Sequence, residues 1–260
     1  MSEHGIDAGA AGDPGADPIA AATADGRTTL TEAESKRLLA DAGVETTSFA
    51  VVATPDEAVA AAERIGFPVV AKVSSPAVTH KSDWADGAGV ALGLEGPEAV
   101  ADAATAMLDA AATRGIDAEV LIEPAVDLDD GTEVIVGGTN DPSFGPVTLV
   151  GLGGVFAEVY EDVAHRVAPV SEREARAAVD SLTAAPLLSG YRGRPEGDVD
   201  ALVDAVRAVG DLLVERPAIT EIDVNPVLVS PDGAIALDGL VVLDDAVVGG
   251  TDAPAGEGGA

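Results

Sequence analysis

The run Phe67-Pro68-Val69-Val70-Ala71 ends in a lysine, and that junction constrains the fold more than any other feature of the chain. A short apolar run with paired valines predicts a buried strand. An ammonium group at the end of such a strand is costly to desolvate unless an anion lies beside it. Lys72 therefore demands a partner, and a phosphate group is the expected one. Eight residues on, His80 and Lys81 open a polar, glycine-rich loop. The chain has only three lysines (Lys36, Lys72, Lys81) and three histidines (His4, His80, His165), so two scarce lysines accompany this one histidine.

That scarcity belongs to a strongly acidic composition. Lys and Arg total 14 against 46 Asp and Glu, a net charge of −32. Such a field argues against nucleic acid or an anionic membrane surface as partner, because both require basic patches. Acid excess with arginine kept and lysine nearly lost points to a halophilic chain, whose self-repulsion is screened by salt. An acidic mesophilic protein is the alternative. No cysteine is present, so disulfide and thiolate chemistry are excluded. No apolar run has the length of a membrane span, and Asp and Gly stand where a signal peptide needs an apolar centre. The expected location is cytoplasmic.

The chain of 260 residues is long enough for one large domain or two small ones. Residues 1–27 and 247–260 are small and acidic and are expected to be disordered tails; His4 falls in the first. Thr31 with Glu34 forms an S/T-x-x-E capping box, predicting a helix that stops at Gly43, with Lys36 a solvated charge on its face. Further helices are expected at 55–65, 98–114, 172–181 and 199–215. Strands are expected at 49–53, 68–73, 88–94, 118–122, 133–137, 147–151 and 156–160, with a loop at 138–146. A hairpin should join 219–225 to 235–243. Strands and helices are mixed rather than strictly alternating, so the expected class is α+β in layers.

Four constellations carry chemistry, each with a plainer account. Lys72, His80 and Lys81 could neutralise a phosphoryl group, and imidazole can accept one covalently; alternatively they sit in an ordinary surface loop. In Glu221-Ile-Asp-Val-Asn225-Pro, period-two spacing puts Glu221, Asp223 and Asn225 on one face of a strand. Asp238 on the facing strand could join them as hard oxygen donors for Mg²⁺, or the whole could be an acidic edge strand. Gly151-Leu-Gly-Gly154, with Glu158, Asp162 and Arg166 beyond, could cradle an anion or be a tight turn. Leu121-Ile-Glu-Pro-Ala-Val126 could offer a backbone edge to adenine and a carboxylate to ribose, or merely connect two halves. His165 reads as structural.

Taken together, FPVVAKVSSP, THKSD, LIEPAV, the DPSFGP–GLGG stretch, EIDVNP and IALD resemble the β subunit of ADP-forming acetate–CoA ligase (ADP-forming acetyl-CoA synthetase), an ATP-grasp protein related to the succinyl-CoA synthetase β subunit. The resemblance spans about residues 29–245. It implies an α+β ATP-grasp fold with subdomains at 28–125 and 126–246 and a nucleotide cleft between them. It implies a β subunit that relays phosphoryl between a CoA-binding α subunit, in an α2β2 assembly, and ADP or ATP. By the same resemblance His80 is the phosphohistidine. Lys72 holds nucleotide phosphates, Glu123, Pro124, Ala125 and Val126 form the adenine hinge, Glu133 lies near ribose or phosphates, Arg166 binds phosphate, and Asn225 with Asp238 holds Mg²⁺. Two departures stand out. Trp84 to Ala88 lengthens the loop after the histidine, and Gly239-Leu240 follows Asp238 where the family usually carries a basic residue. The alternative reading is a non-catalytic ATP-grasp regulatory module of the kind fused in protein acetyltransferases.

Overall fold

The valine-rich segments pair into two antiparallel sheets, and alanine-rich amphipathic segments cover one face of each. The computed structural model describes residues 16–78, 81, 83–153, 162–191 and 195–248. In the first sheet β1 (Ala50–Val52), β2 (Val69–Ser74), β3 (Val90–Leu94) and β4 (Glu119–Pro124) are ordered β1-β4-β2-β3. Helices α3 (Pro55–Ile65) and α4 (Pro97–Thr113) pack their alanines on Val69, Ala71, Val120 and Ile122. Because side chains alternate along a strand, Lys72 and Glu123 turn to the opposite face, away from these helices.

The second sheet holds β5 (Thr132–Asp141), β6 (Gly145–Leu152), β7 (Val163–Val167), β8 (Ile219–Ser230), β9 (Gly233–Ala236) and β10 (Leu240–Leu243). Its order is β10-β8-β5-β6-β7, with β9 also on β8. Helices α5 (Glu172–Asp180) and α6 (Val199–Glu215) cover one face; α6 brings Leu202, Val206, Val209 and Leu213 onto Val134, Val136, Val150 and Ile222. Each such Val or Leu contributes about 1.5–3 kcal/mol by burial. Gly210 permits the contact, since a Cβ there would lie 2.9 Å from Thr148 Cγ2. The opposite face carries Asp223 and Asn225. Where a loop was expected at 138–146, the strands continue into a tight hairpin. Asp141 Oδ1 accepts from Ser143 N (2.7 Å) and Phe144 N (2.9 Å), and Gly145 takes φ +75° to close it. The strand expected at 156–160 lies outside the described residues.

Three expectations about the N-terminal part are corrected. Residues 18–24 are not tail but a helix, α1 (Pro18–Ala24), capped by Asp17 and burying Ile19 and Ala22 in the main core. The subdomain division is also displaced. Helix α2 (Glu32–Asp41) forms from the expected capping box, but its Leu38 and Leu39, with Leu30 and Val44, belong to the core of the second sheet. Leu30 N donates to Val241 O (3.0 Å) and Ala236 N to Glu45 O (2.8 Å), so the chain enters the first sheet only at β1. The other side of α2 presents Ala33 to Val51 and Leu121 of the first sheet. Helix α2 is thus the wedge between the two sheets. Third, Lys36 is fully buried rather than solvated. At the other end, α7 (Asp245–Val248) extends into the expected C-terminal tail. Among the described residues no helix is long and apolar enough to cross a membrane.

Candidate nucleotide cleft

All three lysines of the chain meet in one place, between α2, the first sheet and the β9–β10 connection. Glu32, first residue of α2, and Lys36 one turn later project together, with Lys36 Nζ 3.1 Å from Glu32 Oε1. Lys36 also pairs with Glu123 Oε2 and donates to Thr47 Oγ1 (3.0 Å), whose hydroxyl donates in turn to Glu123 Oε2 (2.6 Å). Lys72 Nζ lies 2.7 Å from Glu32 Oε1 and 2.6 Å from Glu123 Oε1, and donates to Leu237 O at 2.9 Å. Lys81 Nζ lies 2.7 Å from Glu32 Oε2 and 3.2 Å from Asp238 Oδ1. Three ammonium groups face three carboxylates, so the cluster is neutral. Charges this buried persist only when paired and hydrogen-bonded on several sides.

The electrostatics follow from that arrangement. Burial alone would raise the Glu32 carboxyl, but Lys72, Lys36 and Lys81 outweigh it and hold the group well below the usual carboxylate range. Burial likewise opposes the charge on Lys72, yet Glu32, Glu123 and Asp238 raise its pKa above that of an ordinary lysine. Asp238 is pushed up by burial and by Glu32, against the pull of Lys72, Lys81 and Lys36. Asp223 is pushed up by burial, by Glu221 and by Asp238.

Beside the cluster opens a cleft of about 130 Å³, lined by Glu32, Lys81, Asp223, Asn225 and Asp238 among others. Asn225 and Asp238 thus reach the same cavity, as the sequence suggested. They do so by a different route. The strand expected to face β8 is broken: β9 pairs with Val227–Ser230, β10 pairs Leu240 with Asp223, and Asp238 sits in the gap. Gly239 packs closely against α2 there: a Cβ would lie 2.9 Å from Leu39 Cδ1, so a larger residue would have to displace the end of that side chain. Leu240 lines the cleft at the place where a basic residue was noted as missing. Two carboxyls raised by burial and by neighbouring carboxylates, next to a carboxamide, form a hard oxygen set that suits a divalent cation completed by water and phosphate.

The remaining sequence candidates divide. His80, Glu158 and Gly154 lie outside the described residues, whereas Val78 and Lys81 line the cleft. The Glu123 carboxylate is committed to Lys36 and Lys72, which corrects the reading that it takes ribose hydroxyls. Pro124, Ala125 and Val126 are half-buried at the end of β4, where pairing with β1 stops at Ile122 and Ala125 N donates to Pro68 O (3.0 Å). Glu133 is the second residue of β5, its carbonyl accepting from Gly153 N at 2.8 Å. Arg166 is not among the residues lining the cleft. Its neighbour two residues back, Ala164, is in the helix-covered core, so alternation turns Arg166 to that side, and its Nη1 donates to His165 O (2.7 Å). His165, on the other side of β7, is exposed. Sequence reasoning missed Glu32 and Thr47, and misjudged Lys36. The signal for these was the lysine scarcity itself, which applies to Lys36 as much as to Lys72.

A family model described as an ATP-grasp domain matches residues 21–243. The chain is 38% identical over 217 residues to the beta subunit of acetate–CoA ligase [ADP-forming] I of Pyrococcus furiosus, covering 82% of this chain and 91% of the relative. It is also 38% identical over 226 residues to the II beta subunit of the same organism, covering 85% and 94%. A solved acetyl-coenzyme A synthetase 1 of Ca. Korarchaeum cryptofilum, in complex with coenzyme A and Mg-AMPPCP and with its phosphohistidine segment pointing towards the nucleotide site, superposes with a TM-score of 0.76 at 36% identity, over 88% of this chain and 99% of the other. The two sheets with their intervening cleft are therefore an ATP-grasp fold, and the chain belongs to the ATP-grasp family, among the beta subunits of ADP-forming acetate–CoA ligases.

Proposed function

We propose that this chain is the nucleotide-binding β subunit of an ADP-forming acyl-CoA ligase, which runs acyl-CoA + ADP + phosphate ⇌ carboxylate + ATP + CoA. The observation that carries this reading is the cleft in which Lys81, Asn225 and Asp238 meet beside the buried lysine cluster. A CoA-binding α subunit, in an α2β2 assembly in the cytoplasm, supplies the phosphoryl group. An imidazole nitrogen of His80 attacks phosphorus as the bond to the donor breaks; the terminal oxygen of ADP then attacks, the P–N bond breaks and imidazole is restored. Lys72 and Lys81 offset the charge of the moving group, which is where most of the catalysis of such a transfer lies. Asn225 and Asp238 hold Mg²⁺, whose contribution when bound is to neutralise and orient the nucleotide phosphates. The backbone from Glu123 to Val126 takes the adenine edge, and Glu133 stands near ribose or phosphates. The acid-rich composition supports a halophilic protein.

Labelled ATP with Mg²⁺ and the partner subunit should leave an acid-labile, base-stable label on this chain, absent in His80→Ala and kept in His165→Ala. Label surviving in His80→Ala would end the relay. A chain that binds nucleotide but never takes label, with any partner, would be the regulatory module instead, a reading favoured by Leu240 lining the cleft where the family carries a cation.

A further inference from the structure

Among the described residues Glu32 is the carboxylate that touches all three lysines: Lys36 at 3.1 Å, Lys72 at 2.7 Å and Lys81 at 2.7 Å. Glu123 pairs with Lys36 and Lys72, and Asp238 with Lys81. Glu32 borders the cleft, but its side chain is only 1% exposed and both of its oxygens are taken by lysines. Its place in the chain matters as much as its contacts. Helix α2 is fastened to the second sheet through Leu30, Leu38 and Leu39. Asp223, Asn225 and Asp238 belong to that same sheet or border it. Lys72 belongs to the first sheet, and Lys81 follows it in the chain. Glu32 therefore carries the reference frame of the oxygen donors across to the ammonium groups.

We propose that Glu32 is a positioning residue for phosphoryl transfer, holding Lys72 and Lys81 in register with Asn225 and Asp238. The proposal rests on the reading that this cleft takes nucleotide phosphates and Mg²⁺. The two lysines depend on Glu32 to different degrees. Without it, Lys72 keeps Glu123 and the Leu237 carbonyl, and stays close to its place. Among the described residues Lys81 keeps only Asp238 as an ion-pair partner, the residue that the cation needs. Loss of Glu32 therefore does more than loosen the site: it turns Lys81 into a competitor of Mg²⁺ for Asp238. A carboxylate that merely filled the core would show no such coupling to the cation.

The test compares wild type with Glu32→Gln, Glu32→Asp and the charge-balanced double variant Glu32→Gln/Lys36→Met. Calorimetry measures ADP affinity as Mg²⁺ is varied, and turnover is measured with the CoA-binding partner. In the folded double variant the Mg²⁺ needed for half-maximal ADP binding should rise about 10-fold, and turnover should fall about 100-fold, the scale of a misplacement near 1 Å. ADP affinity at saturating Mg²⁺ should stay within about 3-fold, since the lysines remain and only their placement changes. Glu32→Asp, which keeps the charge one methylene short, should recover part of the turnover and part of the Mg²⁺ response, remaining below wild type in both. A folded double variant with wild-type turnover and Mg²⁺ response would reduce Glu32 to a core counter-charge. If both neutral variants fail to fold, Glu32→Asp decides: unchanged turnover overturns the proposal, and reduced turnover with a raised Mg²⁺ requirement supports it. Failure of the wild-type chain itself to bind ADP with Mg²⁺ would overturn the nucleotide reading, and this role with it, a result separate from any variant.

Discussion

The ion pairs of the interior and those of the surface are built from different residues. Inside, Lys36, Lys72 and Lys81 share Glu32, Glu123 and Asp238, with lysine side chains 0–13% exposed. Outside, the pairs use arginine: Arg207 with Asp204, Arg216 with Asp17, Arg176 with Asp200. A lysine ammonium is compact and can be surrounded by three acceptors, as Lys72 is; a guanidinium is a planar fork that keeps its charge at a wet surface. The chain has given up lysine wherever only solubility was at stake and kept it where a small buried cation is required. Scarcity here marks a site.

The widest gap between the two regions should appear on breaking one pair in each, and the interior comes first. Lys36→Met leaves Glu123 and Glu32 buried with one ammonium fewer, and should cost about 3–5 kcal/mol in urea unfolding, the usual scale for an uncompensated buried charge. Lys36→Met/Glu123→Leu removes both charges and should recover most of that loss, because apolar packing replaces buried ion pairs at little net cost. A Lys36→Met chain as stable as wild type would mean that the cluster is not structural.

Acid should separate the regions next. Glu32 has its folded pKa depressed by the three lysines, so its stabilising share is complete above the ordinary carboxylate range and is lost as pH falls through and below it. Glu34, held down by Arg27 and by the capping box against the effect of its burial, acts with the same sign. Asp223 and Asp238 are raised, so the folded state takes up their protons first and they favour folding slightly as pH drops toward that range. Unfolding followed from neutral pH downward should show stability held or slightly improved in mild acid and then falling steeply below the carboxylate range. Glu32→Gln should flatten the steep part. An unchanged acid limb would show that the network does not govern acid unfolding.

The sequence disclosed these regions unequally, and the reasons are physical. Capping boxes and 3.6-residue periodicity are local, so α2, α3, α5 and α6 were legible almost to the residue. Period-two spacing correctly put Asp223 and Asn225 on one face, and the lysine strand was read from the cost of its charge. Glu32 and Lys36 were missed because a helical i,i+4 pair looks the same whether it faces water or a second sheet. The division between bodies was misplaced for a related reason. Which of two sheets buries Leu38 and Leu39 depends on tertiary partners far away in the chain. Helix α1 was hidden by its composition, Pro-Ile-Ala-Ala-Ala-Thr-Ala, in which only Ile19 is a large apolar anchor.

The smallest expected effect lies at the surface, and it sharpens the comparison by being nearly absent. Arg207 and Asp204 are three residues apart on α6, 3.2 Å between charged atoms, with side chains 39% and 70% exposed. Holding two flexible side chains together in water gains little, so Asp204→Ala should change stability by at most about 0.5 kcal/mol. Salt should reduce even that, because the Debye length shrinks from about 10 Å at 0.1 M to about 3 Å at 1 M. The same salt acts oppositely on the whole molecule. Screening relieves the repulsion of a net charge of −32, so the melting temperature should rise with KCl in wild type and in Asp204→Ala alike. Lys36 and its partners Glu32 and Glu123, with side chains at most 5% exposed, should contribute the same at both concentrations, and Lys36→Met should lose as much stability at about 1 M as at about 0.1 M. A surface variant that loses several kcal/mol, or a Lys36 effect that salt erases, would abolish the distinction between the two sets of charges.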